Sequence, residues 1–310
     1  MRYQFLKYTL AGLLLLTVFV ACKKEYATIE EEDATAITDY LQKNNLNSLM
    51  TQYGNTGIYY QIITPGTAVD TLKYSDLIYM TYTINSFDGK AKYIDENLYR
   101  YSSFLGYLQL WTQNLPEAAH LPVAFRIAIK DILKKKGGSL RILIPSRLAY
   151  GQQGTEDKFV IAGNQSLDCT INLYDVNNSL DFEDVFVKKY IQTNNLTGLT
   201  KTSTGLYYQI ITPGTGIAPI TLSSTITAIS KGKLTNGTVF DQNDSSKPIV
   251  GVLGSSFIPG WQEGLPLIKK GGKIRLIIPP SLGYGTKGNG AKIPPNSILD
   301  FDVEVTEVSN

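Results

Sequence analysis

Histidine and cysteine are almost absent from the sequence. The chain has one histidine, His120, and two cysteines, Cys22 and Cys169. A Ser-His-Asp or Cys-His catalytic arrangement would therefore have to use His120, which lies in a loop-like stretch. No His/Cys cluster has the spacing of metal ligands, and no glycine-rich phosphate loop follows a strand. These absences argue against conventional catalysis, and we expect neither a metal nor a cofactor.

A strong excess of charge is also missing. The chain carries 29 basic and 27 acidic residues, a formal net charge of +2. Without a basic face, nucleic acid is not an expected partner. The short acidic run Glu30–Asp33 is most simply interpreted as a solvated linker. An apolar content of 43% is typical of globular proteins, and 310 residues suffice for two domains.

The N-terminus has the features of a secretory signal. Arg2 and Lys7 precede an apolar stretch from Tyr8 to Ala21. This stretch is shorter than the roughly 20 residues that span a bilayer comfortably. We therefore expect residues 1–21 to be a signal peptide, with an uncleaved membrane anchor as the alternative.

The end of the apolar stretch resembles a bacterial lipobox. It reads Phe19-Val20-Ala21-Cys22, with phenylalanine where leucine is commonest. We expect Cys22 to be lipidated and residues 22–32 to form a lipidated linker. The domains would then be anchored to a membrane in the cell envelope, outside the cytoplasm. Lys23, in place of an aspartate, favours export to the outer membrane.

The other cysteine, Cys169, is expected to be structural. If Cys22 carries lipid, Cys169 has no partner for an intrachain disulfide. It lies in the alternating run Leu167–Leu173, which predicts a strand with Cys169 facing inward. A buried cysteine with apolar neighbours behaves as a small hydrophobic residue rather than as a nucleophile.

The chain contains one long duplication and not a short-period repeat. Three segments recur in the same order: Tyr40–Leu46 as Tyr190–Leu196, Thr56–Thr67 as Thr204–Thr215, and Lys135–Pro145 as Lys269–Pro279. We predict one domain over residues 33–176 and another over 204–310, separated by a linker helix over 177–203.

Each unit is predicted to begin with a helix and to continue mainly as strands. The helices are expected near Asp33–Lys43 and Asp181–Thr193, each followed by an Asn-Asn pair that suits a helix end. Leu299–Val305 alternates apolar and acidic residues, which predicts a strand. Pro259–Ile268 is a short helix candidate with a stop at Gly271. The predicted fold class is α+β, with an antiparallel sheet packed on one short helix.

The second unit resembles the FKBP family of peptidyl-prolyl cis-trans isomerases. The resemblance extends from Gly205 to Val308 and rests on five segments in order: Leu234–Asp241, Phe257–Gly264, Ile278–Gly285, Ile293–Ser297 and Leu299–Val305. It implies two tandem FKBP-like domains, in each of which the sheet wraps around the short helix. An aromatic-lined pocket would open between the sheet and the helix.

The resemblance also implies the residues of this pocket. The catalytic set is Phe240, Asp241, Trp261, Tyr284 and Phe301, and the remaining peptide-binding positions are Ile249, Phe257, Ile258 and Ile293. Trp261 would be the floor. The polar groups would be the Asp241 carboxylate, the Tyr284 hydroxyl and the Ile258 backbone N–H.

The chemistry of such a pocket needs no nucleophile. Resonance gives the peptide bond a rotation barrier of about 18–20 kcal/mol. Isomers of an X–Pro bond differ by only about 0.5–1 kcal/mol, yet they interconvert slowly. Because the planar amide is more dipolar than the twisted one, a dry apolar pocket disfavours the planar ground state. A few placed donors can hold the carbonyls of the twisted form.

Three departures from the family pattern predict weakened activity in the second unit. Ser230 stands where a tyrosine usually orients the pocket aspartate, seven residues before Gly237. An arginine often found between Asp241 and Ile249 is missing. Lys292 stands where an apolar residue commonly lines the pocket mouth.

The first unit departs further. It keeps tyrosines Tyr82 and Tyr150 at the positions of Ser230 and Tyr284. Ile127 stands at the position of Trp261, Cys169 at that of Phe301, and Ile161-Ala162-Gly163 at that of Ile293-Pro294-Pro295. Two residues are inserted before Asp95. A longer insertion before His120 contains the aromatic residues Tyr101, Phe104, Tyr107 and Trp111. We expect this degenerate domain to keep the fold without catalysis, and to bind a client or orient the second unit.

The leading hypothesis is a lipid-anchored foldase that acts on proline-containing polypeptides in the cell envelope. The alternative is a non-catalytic FKBP-like binding or chaperone lipoprotein. A third possibility is a structural surface lipoprotein.

Overall fold

The structure is a computed structural model that describes residues 27–96, 100–108, 121–156 and 160–310. The predicted signal peptide and Cys22 lie outside the described residues, as do Trp111 and His120. Within the described ranges, no helix is long and apolar enough to cross a membrane.

Seven antiparallel strands form the first sheet. They are β1 (Thr51–Gln52), β2 (Tyr59–Thr64), β3 (Leu77–Ser86), β4 (Lys92–Tyr93), β5 (Arg100–Phe104), β6 (Gly138–Ile144) and β7 (Leu167–Tyr174). The strand order is β1-β2-β6-β7-β3-β4, and β5 also pairs with β3.

Seven further antiparallel strands repeat this arrangement. They are β8 (Thr200–Lys201), β9 (Tyr207–Thr212), β10 (Thr225–Leu234), β11 (Val239–Gln242), β12 (Ile249–Val252), β13 (Lys273–Ile278) and β14 (Leu299–Ser309). Read from β8, the order is β8-β9-β13-β14-β10-β11, with β12 paired to β10. Each strand therefore has the place of the strand seven positions earlier, and the predicted α+β tandem architecture is confirmed.

A short helix packs against the inner face of each sheet. In the first unit α2 (Val123–Ile127) continues as a π turn, Ala128–Leu133. The second unit has α4 (Leu253–Ser256) and then α5 (Pro259–Gly264), which continues as a 3-10 turn. A side chain at Gly260 would place its Cβ 2.6 Å from Ile278. Because glycine has no Cβ, α5 can pack closely on β13.

Another helix precedes each sheet, α1 (Ile29–Lys43) and α3 (Ser179–Thr193). α1 begins four residues before its predicted start, because Thr28 and Glu31 form a capping box. The interpretation of the acidic run as a linker is therefore wrong, since it forms the first turn of α1. Acidic side chains are favourable there because of the helix dipole. Asn45 and Asn195 follow the two helices in the left-handed conformation, as the predicted helix ends require.

Both long helices pack on the outer faces of their sheets through equivalent polar contacts. The Tyr40 hydroxyl of α1 donates to Asp168 at 2.9 Å, and Arg141 Nε donates to the same carboxylate at 2.9 Å. Burial, with Asp168 alongside, raises the pKa of Tyr40 to about 12. Buried polar groups are stable when they are paired in this way.

An adjoining face of α3 contacts the first unit. Phe182 packs against Tyr79 and Tyr174, with ring centroids 5.2 Å apart in both pairs. The Arg100 guanidinium lies 3.7 Å from the centroid of the Phe186 ring. α3 is therefore a packed layer between the outer faces of the two sheets and not a free linker.

Candidate functional site

Three of the predicted catalytic aromatic residues meet between α5 and the second sheet. Trp261 projects from α5, and Phe301 lies edge-on to it with ring centroids 5.3 Å apart. Phe240 lies edge-on to Phe301, also at 5.3 Å. Edge-to-face contact is a favoured geometry for aromatic rings. All three side chains are over 90% buried, so they form one packed aromatic cluster.

Most of the predicted peptide-binding positions surround this cluster. Phe257 stacks on Trp261 with centroids 5.1 Å apart and an interplanar angle of 6°. Ile293 is buried in the hydrophobic core that contains these rings, and the half-buried Ile258 packs against that core. Ile249 is different: it lies half-buried on β12, opposite Ala228, and outside this group of residues.

Gly232 makes room for the aromatic cluster, and its role was missed in the sequence. A β-bulge pairs Gly232 with Asp241 and Lys233 with Val239, so that Phe240 is the extra residue of β11. A Cβ at Gly232 would lie 2.5 Å from the ring of Phe240 and 2.6 Å from that of Phe301. Any side chain here would therefore push the two rings apart. The signal available in the sequence was a glycine in the middle of an otherwise regular strand.

Four polar groups of the predicted site residues have no partner within the described residues. The Tyr284 hydroxyl and the Ile258 backbone N–H are free to donate, and the exposed Asp241 carboxylate is free to accept. The Trp261 Nε1 is buried and unpaired. Since buried donors are usually satisfied, the indole N–H of Trp261 has a hydrogen-bonding capacity that the described residues do not use.

Ser230 does not replace the missing tyrosine as a partner of Asp241. Its backbone N–H donates to the side-chain oxygen of Asn243 at 2.9 Å, and the Asn243 amide donates to its hydroxyl at 3.2 Å. The side chain of Ser230 is therefore engaged with Asn243, and Asp241 stays without a partner.

Gln262 is a further residue that sequence reasoning missed. Its side-chain amide donates to the carbonyl of Phe257 at 2.7 Å and to that of Gly254 at 3.3 Å. These bonds tie the loop before α5 to the helix itself. Gln262 therefore supports the stacked position of Phe257.

In the first unit, the residue equivalent to Trp261 is Phe125 and not Ile127. α2 begins after Pro122 as α5 begins after Ile258, which places Phe125 at the third helical position. Phe125 is fully buried, whereas Ile127 is only half-buried. The prediction of Ile127 was wrong because the π turn puts extra residues between α2 and β6.

The first unit fills the space that the aromatic cluster occupies in the second. Ile84 pairs with Cys169 across β3 and β7, as Gly232 pairs with Phe301 across β10 and β14. Ile84 and Cys169 are fully buried, and the predicted inward orientation of Cys169 is confirmed. In the first unit the larger side chain of this pair is on β3, whereas in the second unit it is on β14. The Ile84 side chain therefore leaves no room for a phenyl ring at the position of Cys169.

Tyr150 also differs from its counterpart Tyr284. Its hydroxyl is buried without a hydrogen-bond partner among the described residues, and burial raises its pKa. Tyr82 lies edge-on to Phe125 with centroids 5.7 Å apart. The tyrosines that the first unit retains are therefore part of a packed core.

Comparison with known proteins identifies the second unit. Residues 219–306 match the family model described as FKBP-type peptidyl-prolyl cis-trans isomerase. FkpA of Escherichia coli K12 is 47% identical over 111 residues, 36% of this chain and 40% of that protein. A probable FKBP-type isomerase of Haemophilus influenzae is 49% identical over 109 residues, 35% of this chain and 44% of that protein. The matched region thus spans less than half the length of these curated relatives.

Solved structures show the same likeness. The crystal structure of Escherichia coli FkpA is 42% identical with a TM-score of 0.38, covering 42% of this chain and 61% of that one. An isomerase from Pseudomonas syringae is 29% identical with a TM-score of 0.37, covering 44% of this chain and 99% of that one. Through its second unit, the chain belongs to the FKBP-type peptidyl-prolyl cis-trans isomerase family.

Proposed function

We propose that the chain is a peptidyl-prolyl cis-trans isomerase whose activity resides in the second unit. The observation that carries this proposal is the packed group of Trp261, Phe301 and Phe240, which has unpaired donors at its edge. The substrates are proline-containing polypeptides.

The proposed mechanism uses this apolar surface together with two donors. A prolyl ring packs against the rim formed by Phe257 and Ile258, where water is excluded and the dipolar planar amide is disfavoured. The Tyr284 hydroxyl and the Ile258 N–H then donate to carbonyl oxygens beside the rotating bond. Such preorganised donors lower the barrier when they fit the twisted form better than the planar form.

The activity is proposed to be weaker than that of typical family members. Asp241 has no partner to orient it, because Ser230 is bonded to Asn243. The first unit is proposed to be non-catalytic, since Ile84 fills the space at its equivalent position.

A lipid anchor is proposed to hold the protein in the cell envelope, with the outer membrane as its location. Its support is the basic and apolar N-terminal sequence that ends at Cys22. Labelling of the protein with palmitate should be lost on Cys22→Ser, and labelling that survives this change would contradict the anchor.

An isomerisation assay tests the proposed activity. The full chain should accelerate the cis-trans conversion of a proline-containing peptide, and Trp261→Leu should reduce kcat/KM at least about tenfold. Circular dichroism checks folding, and Phe240→Leu provides a second variant. A chain without any acceleration would contradict the proposal.

The second candidate is a binding or chaperone module without catalysis, which Ser230 and the filled first unit favour. Suppression of aggregation of an unfolded client separates the two functions. If the chain suppresses aggregation equally well with Trp261→Leu, and accelerates no proline isomerisation, the second candidate replaces the first.

A further inference from the structure

A carboxylate of α3 contacts the loop that carries Tyr284. Glu183 Oε2 accepts hydrogen bonds from the Ser281 hydroxyl at 2.6 Å and from the Ser281 N–H at 3.3 Å. Ser281 lies in the 3-10 turn Pro280–Leu282, and Tyr284 follows two residues after that turn. The Ser281 N–H has no partner within the turn, so the carboxylate caps the turn as an N-cap side chain caps a helix.

The same face of α3 also reaches the strand that carries Phe301. Tyr190 lies seven residues after Glu183, hence on the same side of the helix. Its hydroxyl donates to Asp300 at 2.6 Å, immediately before Phe301 in β14. From the outer side of the second sheet, α3 thus contacts both segments that supply Tyr284 and Phe301.

The first unit contains a matched version of the Glu183 contact. Asp33 of α1 accepts from the Ser146 N–H at 2.8 Å and from the Arg147 N–H at 3.3 Å. Arg147 lies three residues before Tyr150, as Ser281 lies three residues before Tyr284. Because Tyr150 is packed in a filled core, this contact can only be structural, whereas the one at Glu183 supports a tyrosine with a free hydroxyl.

α3 is also held in place by the first unit. Besides the aromatic contacts of Phe182 and Phe186, Lys189 forms an ion pair with Glu96 at 2.8 Å. The helix that carries Glu183 is therefore anchored on the first unit while it contacts Ser281 of the second. The matched family segment, residues 219–306, does not include this helix.

We infer that Glu183 is a positioning residue for the isomerase site, because it fixes the turn that directs the Tyr284 hydroxyl. This inference rests on the proposed function of the second unit. It assigns to the linker helix a role in catalysis, and to the first unit the role of holding that helix.

The test is a double-mutant cycle in the full chain. Glu183→Ala should lower kcat about three- to tenfold with little change in KM, since the two hydrogen bonds that hold the Ser281 turn are lost. Glu183→Gln should keep most of the activity, because its amide oxygen still accepts. Gln192→Ala, on an exposed position of the same helix, should change neither constant.

The cycle is closed with Tyr284→Phe. If Glu183 acts through the Tyr284 hydroxyl, Glu183→Ala should have no further effect once that hydroxyl is gone. A general structural effect would lower activity by the same factor in both backgrounds, and this result would overturn the inference.

Amide hydrogen exchange gives a readout that does not depend on activity. Glu183→Ala should accelerate exchange at Ser281 and Leu282, whose amides bond to Glu183 and within the turn, whereas Gln192→Ala should not. If the wild-type chain shows no isomerase activity, the proposed function fails. Unchanged exchange in Glu183→Ala overturns the positioning role whether or not the chain is active.

Discussion

Gly232→Ile combined with Phe301→Cys is expected to give a folded second unit without isomerase activity. These changes install the pair that the first unit has at Ile84 and Cys169. The isoleucine should fill the space vacated by the phenyl ring, as it does in the first unit. The aromatic cluster would lose its central member, and kcat/KM should fall by more than about tenfold because the apolar wall is lost.

Each change alone is expected to be worse for stability than the pair. Gly232→Ile alone would place its Cβ 2.5 Å from Phe240, and such overpacking typically costs about 1–3 kcal/mol or more. Phe301→Cys alone would leave a cavity and cost about 3–5 kcal/mol, as for other large-to-small changes in cores. Denaturant unfolding should give a penalty for the pair that is smaller than the sum by about 0.5–3 kcal/mol.

The difference between the penalty of the pair and the sum of the two single penalties distinguishes a filled pocket from a general loss of structure. Ser230→Ala, two residues earlier on the same strand face, provides the control for a substitution in β10. Two single penalties that simply add would contradict the proposed exchange of volume between Gly232 and Phe301. Full isomerase activity in the folded double variant would show that the Phe301 ring is not part of the site.

Asp300→Asn is expected to destabilise the second unit by about 3–5 kcal/mol, the cost of removing one member of a buried ion pair. Asp300 is 1% exposed. It accepts from Arg275 at 2.9 and 2.6 Å and from Tyr190 at 2.6 Å, with Lys233 at 3.3 Å. The neutral amide would leave two partly buried cations without their counter-ion. Urea unfolding of the full chain at neutral pH measures the loss.

The pKa of the Asp300 carboxyl predicts that the second unit loses stability at acid pH. Burial acts to raise the pKa of Asp300, but the hydrogen bonds from Arg275 and Tyr190 outweigh it, so the pKa lies below the ordinary value of 3.8. The unfolded chain therefore binds this proton more readily than the folded chain. The contribution of Asp300 is present above about pH 4 and is lost as the pH falls below that value.

Asp302→Asn is the matched control for acid sensitivity, since Asp302 is exposed on the same strand. The wild type should lose stability between about pH 4 and pH 2, and Asp300→Asn should lose less over the same interval. An equal loss in the wild type and in Asp300→Asn would contradict the assignment of acid sensitivity to Asp300.

The tandem architecture could be predicted from the sequence because the patterns that indicate helices and strands are local, and because the segments that carry them occur twice. Alternation in β14 and the Asn-Asn helix ends predict elements that the structure confirms. The pocket aromatic residues were inferred from resemblance, and the structure brings Trp261, Phe240 and Phe301 together. Ile249 was the exception, since it lies half-buried on β12 and outside that cluster.

The missed features depend on relations that the sequence alone does not display. Phe125 was missed because a π turn shifts the alignment of α2 by a few residues. The helical role of the acidic run is the exception, because Thr28 and Glu31 already show in the sequence the Thr-x-x-Glu spacing of a capping box. The contact of Glu183 with Ser281 joins residues that are far apart in the chain, and no pattern in either segment predicts it.

Matched tyrosine substitutions give the most direct test of the claim that only the second unit is catalytic. Tyr284→Phe and Tyr150→Phe each remove one hydroxyl from the full chain, with little risk to folding. We expect Tyr284→Phe to lower kcat/KM about three- to tenfold, the effect of one lost hydrogen bond, and Tyr150→Phe to leave it unchanged. Equal losses from the two substitutions, or a loss from Tyr150→Phe alone, would contradict the claim.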